Sequence, residues 1–252
     1  MAKQVIISAR QLKKSFGAKG NQETIFSHLN LEIYRGDFTV IMGASGAGKS
    51  TLLYSLSGMD KPTKGEVYID GTDITQMTSD QLAKFRRQQC GFVFQQIYLM
   101  QEQTLMDNVL IAGVLLPRKQ KELVAQAKNL FAQVAISEQT QAKLPSQVSG
   151  GEAQRAGIVR AIINQPKILF ADEPTGALNS LNSEAVLDVF SSLHQQGQSI
   201  VMVTHDKKSA LRGNRIIYLK DGQIFGECQL DDTLDDQKRQ KIFDQFLLEM
   251  GW

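Results

Sequence analysis

The stretch that decides the fold is Gly43-Ala44-Ser45-Gly46-Ala47-Gly48-Lys49-Ser50-Thr51. It fits the pattern G-x-x-x-x-G-K-[ST] without a mismatch. The apolar run Val40-Ile41-Met42 before it predicts a short buried strand, and residues 50–56 after it predict the opening of a helix. A phosphate-binding loop requires this strand–loop–helix setting, whereas a Gly/Ser-rich turn that merely contains a lysine does not.

The residue types in this loop suit the binding of a nucleotide. Glycine lets the backbone curl so that successive N–H groups point at phosphate oxygens, and the next helix presents its positive N-terminus to the same anion. Lys49 adds a point charge for the terminal phosphates, and the Ser50 hydroxyl is placed to ligate Mg²⁺. We therefore expect residues 43–51 to bind the phosphates.

The composition bounds the class of protein. The 252 residues suffice for one large domain, or for one domain with an inserted subdomain. A net charge of +2 gives no argument for binding to nucleic acid or to an anionic membrane. Cys90 and Cys228 lack metal-type spacing, which favours two core residues of a reduced cytosolic protein. The start of the chain has no signal-peptide pattern, and the longest apolar run, 109–116, is too short to span a membrane.

The order of the predicted elements indicates an α/β protein. Strands predicted at 168–171 and 199–203, with a helix at 183–195 between them, alternate as they do around a parallel sheet. From about 104 to 164 the chain instead predicts successive helices, which we interpret as an α-rich insertion. Further predicted elements are strands at 5–16, 29–34, 66–71 and 91–94, a helix at 79–89, and a closing hairpin of 215–219 with 223–225.

The end of the chain predicts an amphipathic helix at 238–250. Its apolar stripe consists of Ile242, Phe243, Phe246, Leu247 and Met250. Packing of this stripe against the core is the favoured interpretation. Docking onto a partner or a membrane surface is the alternative.

Two carboxylates follow the apolar run Ile168-Leu169-Phe170-Ala171. A strand buried on both faces tolerates Asp172 and Glu173 only at its carboxyl end, beside a site. A solvated pair of loop acids is the plain alternative. In a protein with a phosphate loop, Asp172 would hold Mg²⁺, directly or through water, and Glu173 would polarise the attacking water as a general base.

Two more polar residues, Gln95 and His205, lie just after predicted strands. His205 comes after Val201-Met202-Val203-Thr204, where it could contact a γ-phosphate, although a lone histidine is more often structural. Gln95 comes after the strand at 91–94 and could offer its amide to Mg²⁺ or to the attacking water. Both assignments depend on the position at the carboxyl end of a strand.

A second candidate anion site is Ser149-Gly150-Gly151-Glu152, which opens the helix predicted at 151–163. Its Ser-Gly-Gly start makes another helix N-terminus able to hold a phosphate. One nucleotide needs only one such site. The sequence therefore suggests a composite site that a second subunit completes.

In this order and spacing, the residues resemble the ATP-binding cassette (ABC) ATPases over about residues 4–225. The resemblance implies an α/β P-loop NTPase (RecA-like) fold, with a parallel core sheet, an antiparallel β subdomain and an inserted α-helical subdomain. It also implies ATP as the nucleotide. The matching motifs are Walker A (43–51), the Q-loop at Gln95, the signature (149–152), Walker B with its catalytic glutamate (168–173), the D-loop (from 174) and the switch histidine, His205.

The resemblance implies roles for parts of the chain. One ATPase domain would cover 4–228, with a core of about 4–95 and 165–228 and a helical subdomain of about 96–164; an extension, 229–252, would follow. Two copies would sandwich two ATP molecules, and Mg²⁺ would be held through Ser50, Gln95 and Asp172.

Three positions depart from the pattern that is usual in the family. Phe16 stands where a tyrosine usually stacks on adenine, and Phe would stack equally well. Glu152 stands where Gln is commoner in the signature. Asn179 stands where the D-loop usually has Asp, which weakens the expectation that the two ATP sites communicate.

Finer detail, at 42–46, 91–95, 171–176 and 203–206, resembles the ATPases of macrolide exporters, lipoprotein-release systems and bacitracin-type resistance transporters. The implied partner is a membrane permease with a large extracytoplasmic part, which would hold the chain at the cytoplasmic face of the cell membrane. The implied role is efflux of, or resistance to, antimicrobial peptides or related amphipathic compounds.

Two alternatives remain open. A soluble ABC ATPase acting on DNA or ribosomes is disfavoured because the sequence contains one cassette, no heptad run and no basic surplus. A regulatory module that binds ATP without turnover is weakly favoured by Asn179.

Overall fold

The structure, a computed structural model, describes residues 3–17, 22–231 and 233–252. It divides into two compact units, one formed by residues up to 82 together with 197–252 and the other by 83–196. The described strands are β1 (Val5–Phe16), β2 (Glu23–Tyr34), β3 (Phe38–Met42), β4 (Lys64–Ile69), β5 (Thr72–Asp73), β6 (Cys90–Phe94), β7 (Ile168–Asp172), β8 (Ser199–Val203), β9 (Arg215–Lys220) and β10 (Gln223–Gln229). The described α-helices are α1 (Lys49–Ser57), α2 (Ser79–Gln89), α3 (Leu105–Gly113), α4 (Gln120–Gln133), α5 (Glu138–Gln141), α6 (Gly150–Ile162), α7 (Ser180–Gln195), α8 (Lys207–Ala210) and α9 (Asp236–Met250).

The first unit contains an antiparallel sheet in the order β2-β1-β4-β5. Strand β1 is its centre, with β2 on one side and β4 on the other. Apolar side chains from all three strands are buried, among them Ile7, Leu12, Ile33 and Val67. This alternation of buried and exposed residues is typical of a sheet with one face on the core.

The first unit also contains the strand that leads into the phosphate loop. Strand β3 lies between β8 and β9, parallel to both, and all five of its residues are buried. Burial on both faces explains why the sequence here is almost continuously apolar. Strand β9 returns as β10 through Asp221 and Gly222, whose φ angles of 48° and 72° suit the two-residue hairpin turn.

The second unit combines a parallel strand pair, β6 and β7, with helices α3 to α7. Helix α6 approaches β6 closely at Gly91, where a Cβ atom would lie 2.6 Å from the carbonyl oxygen of Ala161. This contact holds α6 against the strand that precedes Gln95. Cys90 is buried beside it, and burial raises the pKa of its thiol to about 12.

The predicted elements at 5–16, 79–89 and 199–203 are confirmed with unchanged bounds. Strand β2, predicted from residue 29, begins at Glu23 because its first half, which includes the buried Phe26, pairs with the end of β1. Helix α3, predicted at 109–116, begins at Leu105 and ends at Gly113, since Thr104 caps it by accepting a hydrogen bond from the Asp107 N–H. The short elements β5, α5 and α8 were not predicted.

Helix α9 packs most of its apolar stripe against the rest of the first unit, as the favoured interpretation expected, whereas Ile242 of that stripe is exposed. Phe243, Phe246 and Leu247 are buried, and Met250 packs against Gly226 of β10, where a Cβ would lie 2.5 Å from the methionine sulfur. Arg239 of the same helix donates to the carbonyls of Leu211, Gly213, Leu230 and Asp231. In the described parts of the chain, every helix is too short or too polar to cross a bilayer.

Candidate nucleotide-binding site

The phosphate loop requires glycine at its two ends. Gly43 and Gly48 have φ angles of 153° and 92°. A Cβ at Gly43 would lie 2.1 Å from the carbonyl oxygen of Leu219, and one at Gly48 would lie 2.7 Å from Cγ2 of Ile25. Residues of β9 and β2 therefore pack directly against the two glycines, so that the loop has no room for a side chain at either position.

Lys49 is the first residue of α1, and its buried side chain folds back into the phosphate loop. Its Nζ donates hydrogen bonds to the carbonyl oxygens of Gly43 and Ala44, both at 2.9 Å. In the described structure no side chain caps α1, whose cap residue is Gly48, and the first turn of α1 contains no acidic residue. A cation and an uncapped helix N-terminus thus face the same loop, which suits a polyphosphate.

Phe16 ends β1 with a ring that is 47% exposed. The Lys14 ammonium lies 4.8 Å from the ring centroid, and it forms an ion pair with Asp60 at 2.7 Å. The neighbouring strand carries Ile25, which contacts Gly48 of the phosphate loop. The structure therefore places the expected adenine-stacking ring at an accessible position on the sheet that borders the loop.

His205 follows β8 and is exposed. Thr204 before it donates its N–H to the carbonyl oxygen of Ile41, at 3.2 Å, and Val203 pairs with Ile41 in the sheet. Because Ile41 lies two residues before Gly43, His205 and the phosphate loop share one edge of the first unit's parallel strands. This brings together the expected γ-phosphate contact and the expected phosphate loop.

In the second unit, Gln95, Asp172 and Glu173 lie at the carboxyl ends of two paired strands. Asp172 of β7 pairs with Phe94 of β6. Glu173 and Gln95 are the residues that directly follow this pair, one after each strand. A Cβ at Gly176 would lie 2.8 Å from Nε2 of Gln95, which shows that the Gln95 side chain lies over that glycine. The backbone thus brings the three predicted polar residues to one edge.

Glu173 adopts a strained backbone conformation. Its φ angle is 44°, in the left-handed region that residues other than glycine seldom occupy. Its carbonyl oxygen accepts a hydrogen bond from the Gly176 N–H at 3.0 Å, which closes the turn after β7. Strain of this kind is concentrated at functional sites.

The signature residues form a capping box at the start of α6. The Ser149 hydroxyl accepts from the Glu152 N–H at 3.2 Å, and the Glu152 carboxylate accepts from the Ser149 N–H at 2.8 Å. The Ser149 hydroxyl also donates to that carboxylate at 2.9 Å. The hydrogen bond from the Ser149 backbone holds the pKa of Glu152 below its ordinary value. The second candidate anion site therefore carries an ionised carboxylate.

The D-loop asparagine has a structural role in this chain. Asn179 caps α7, and its side-chain oxygen accepts from the Asn182 N–H at 3.0 Å. An aspartate at this position would make the same bond. Asn182 in turn lies against the signature, since a Cβ at Gly151 would be 2.5 Å from its Oδ1.

The structure adds residues that the sequence analysis did not identify. Lys14 is one of them, and its spacing of two from Phe16 along a strand places both side chains on one face. Asn182 and Gln154 are two others. Asn182 of α7 contacts Gly151 of α6, and Gln154 of α6 donates to the carbonyl oxygen of Phe94 in β6.

The donor set suits a hydrated divalent cation. The side chains expected to hold it are the hydroxyl of Ser50, the amide of Gln95 and the carboxylate of Asp172, all of which offer oxygen atoms. Mg²⁺ prefers oxygen ligands and is bound by few side chains together with substrate phosphates. Within the second unit, Gln95 and Asp172 lie at the carboxyl ends of two paired strands and offer oxygen atoms of this kind.

A glycine-fixed loop with a buried lysine between strand and helix, together with a strand that ends in two carboxylates, defines the class of P-loop nucleoside triphosphatases. Residues 26–176 match the family model described as ABC transporter. The chain belongs to the ABC transporter family. The predicted family and fold class are confirmed.

Three relatives illustrate the similarity to characterised families. The chain is 40% identical, over 94% of its length, to the macrolide export ATP-binding/permease protein MacB of Aggregatibacter actinomycetemcomitans, and covers 37% of that protein. It is 36% identical over 98% of its length to the bacitracin export ATP-binding protein BceA of Halalkalibacterium halodurans, and covers 96% of that protein. It is 39% identical over 88% of its length to the lipoprotein-releasing system ATP-binding protein LolD of Aquifex aeolicus, of which it covers 97%.

Solved structures agree with this assignment. The ATP-binding cassette MJ0796, solved as a dimer in a post-hydrolysis state bound to ADP and Pi, superposes with a TM-score of 0.82 at 37% identity. The match covers 89% of this chain and 99% of that chain. A second dimeric structure of the same cassette gives the same TM-score at 38% identity.

Proposed function

We propose that the chain is the ATP-hydrolysing subunit of a membrane transporter, and that two copies associate on binding ATP. One observation carries the proposal: a phosphate loop with a buried lysine occurs in the same chain as a second helix opened by Ser149-Gly150-Gly151. The dimeric form of the similar cassettes supports it further.

In this proposal each ATP is bound by residues of two copies. Residues 43–51 of one copy hold the phosphates, and Phe16 stacks on the adenine. The signature residues Ser149, Gly150, Gly151 and Glu152 of the second copy contact the same nucleotide. The uncapped start of α1 supports the first assignment, and the exposure of Ser149 and Gly150 supports the second.

The proposed chemistry is attack of water on the γ-phosphorus, with release of ADP. Glu173 accepts a proton from the attacking water as the bond from oxygen to phosphorus forms and the bond to the β-phosphate oxygen breaks. Lys49 and His205 stabilise the negative charge on the γ-phosphate. Ser50, Gln95 and Asp172 would hold Mg²⁺, which would supply positive charge beside the phosphate oxygens. Most of the rate enhancement comes from positioning and electrostatics.

We further propose that one ATPase domain covers 4–228, with a catalytic core of about 4–95 and 165–228 and a helical subdomain of about 96–164. The partner is an integral-membrane permease with a large extracytoplasmic domain, and the chain lies at the cytoplasmic face of the membrane. Export of antimicrobial peptides or related amphipathic compounds is the proposed task. Two relatives that are named for the export of macrolides and of bacitracin support it.

An apolar surface on the second unit is the proposed contact with the permease. Tyr98, Met100, Val114 and Leu115 are each more than half exposed, which is unusual for large apolar side chains that lie near each other in the chain. The Tyr98 ring packs edge-on against Phe94, with ring centroids 5.6 Å apart, next to Gln95. Contact at this surface would therefore bear on a residue of the ATP site.

Glu173→Gln tests the proposed catalytic role. We expect ATP hydrolysis to fall by at least about 100-fold, because the amide cannot accept the proton of the attacking water. We also expect ATP to trap a stable dimer, visible by sedimentation. Glu122→Gln, an exposed glutamate of α4, is the control and should hydrolyse ATP at the wild-type rate. Wild-type turnover by Glu173→Gln would remove Glu173 from this role.

Affinity purification of the chain from native membranes tests the partner. The proposal expects a permease with a large extracytoplasmic domain to co-purify, and Val114→Asp to reduce its recovery. Leu248→Asp, a change at an exposed leucine of α9, is the control and should not. Recovery of ribosomes or DNA-repair proteins without a membrane protein would instead favour a soluble ATPase.

A further inference from the structure

We propose that Gln154 is a positioning residue for ATP hydrolysis, which holds Gln95 and Glu173 in register through the carbonyl groups beside them. The inference rests on the proposed ATPase function and deepens it. Gln154 lies on α6, a little more than one turn after the signature residues that open that helix.

The side chain of Gln154 bridges two segments of the candidate site. Its Nε2 donates to the carbonyl oxygen of Phe94 at 3.0 Å and to that of Pro174 at 2.7 Å. Phe94 directly precedes Gln95, and Pro174 directly follows Glu173. One amide group therefore ties together the two backbone turns that carry the proposed metal ligand and the proposed general base.

The hydrogen-bond partners determine the orientation of this amide. Two carbonyl oxygens can be satisfied only by a donor, so the nitrogen must face them. The side chain is 1% exposed, and its Oε1 has no hydrogen-bond partner in the described structure. An unpaired buried oxygen is a cost that an apolar side chain of similar size would avoid. The two hydrogen bonds that Nε2 donates are thus what glutamine provides here and an apolar side chain does not.

The segments that Gln154 joins are strained and crowded. Glu173 has a φ angle of 44°, and the Gln95 side chain lies over Gly176, where a Cβ would be 2.8 Å from its Nε2. Without the bridge, the strained turn after β7 and the turn after β6 could relax separately. Displacements on the order of 1 Å at a catalytic group can lower a rate about 100-fold.

The location of Gln154 also links these turns to the signature. Helix α6 is a rigid element whose first residues are proposed to meet the ATP bound by the second copy. A shift of α6 would move both carbonyls together, through one side chain. Gln154 therefore gives contact at the signature a hydrogen-bonded path to the segments of Gln95 and Glu173.

Gln154→Met tests the proposal, because methionine has a similar length and no donor. We expect kcat to fall at least tenfold while KM for ATP stays within about twofold, since the phosphate loop and Phe16 are untouched. The Mg²⁺ concentration needed for half-maximal activity should rise, because Gln95 is displaced. Where Gln154→Met yields no folded protein, Gln154→Leu decides, since it is apolar and has no donor; wild-type kcat and Mg²⁺ dependence in that variant would overturn the inference.

Gln141→Met is the matched control in the same unit. Gln141 is 4% exposed and donates its Nε2 to the carbonyl oxygen of Ile136 at 3.1 Å. If Gln154 acts only in folding, both variants lose thermal stability while kcat and Mg²⁺ dependence stay at wild-type values; that result would overturn the inference. Failure of the proposed function would look different, because the wild-type chain itself would not hydrolyse ATP.

Discussion

Each of the two candidate anion loops leads into a helix, but the two helices differ in which groups accept hydrogen bonds from the backbone N–H groups of the first turn. The phosphate loop leads into α1 through Gly48, with no side-chain cap in the described structure and a buried lysine as the first helical residue. The signature leads into α6 through Ser149, which forms a capping box with Glu152. One helix start faces a cation, and the other holds a carboxylate.

This difference indicates different modes of use. Backbone N–H groups at a helix start bind an anion when nothing else satisfies them. In α6 the capping box already satisfies part of this demand and adds a negative charge. The phosphate loop is therefore suited to bind ATP within one copy. The signature is suited to a contact that forms only when a second copy brings its nucleotide.

The largest expected effect belongs to the phosphate loop. Lys49→Ala should lower ATP hydrolysis about 100- to 1000-fold, because a preorganised donor to the developing charge is lost. It should also weaken nucleotide binding by the monomer, measured with a fluorescent ATP analogue. Lys121→Ala, at an exposed position of α4, serves as the control. Unchanged nucleotide binding by Lys49→Ala would contradict the assignment of residues 43–51.

A methyl group in the signature should separate binding from association. In Gly151→Ala, the new Cβ would lie 2.5 Å from Asn182 Oδ1 and would crowd the first turn of α6. We expect the monomer to bind ATP normally, while ATP-dependent dimerisation weakens at least about tenfold. Sedimentation in the Glu173→Gln background measures both. A normal dimer would show that the signature does not contact the second nucleotide.

Removal of the signature carboxylate should have a smaller effect of the opposite sign. Glu152→Gln keeps the possibility of a capping box but removes a negative charge from a helix N-terminus that is proposed to meet phosphates. We expect KM for ATP to fall about two- to fivefold at low salt, and the difference to shrink as salt screens the charge. A rise in KM at low salt would mean that the capping bond matters more than the repulsion.

The smallest effect should appear in stability as a function of pH. The Ser149 N–H stabilises the Glu152 carboxylate and lowers its pKa, so the contribution to folding is complete above the ordinary glutamate pKa. It is lost as the pH falls through the lowered value. The stability of the wild type relative to Glu152→Gln, from urea denaturation, should therefore decline as the pH falls below the ordinary glutamate pKa. A constant difference would show that the carboxylate is not bound at the cap.

Local signals explain most of what the sequence predicted. The phosphate loop, β7 with its two carboxylates, and the hairpin at Asp221 each depend on neighbouring residues, and the structure contains all of them. The capping box was also readable, since Ser149 and Glu152 have the S-x-x-E spacing. The spacing alone does not show that the Glu152 carboxylate is hydrogen-bonded to Ser149 and stays charged at the signature.

Long-range contacts explain the rest. The first half of β2, residues 23–28, lacks a clear alternation of apolar and polar residues and is a strand through its pairing with β1. Gln154 is one polar residue on a largely buried helix, and its two acceptors are 60 and 20 residues away in sequence. No spacing rule predicts such a bridge, because it exists only once α6 has packed beside β6.

The guanidinium of Arg239 has a consequence for the exchange of parts between related proteins. It joins the carbonyls of Leu230 and Asp231, which lead into α9, to those of Leu211 and Gly213, which follow the His205 segment. A chimera whose last helix lacks an arginine at position 239 would leave these four oxygens without their shared donor. Residues 205–213 and the final helix therefore form one module, and successful hybrids should inherit the two pieces together.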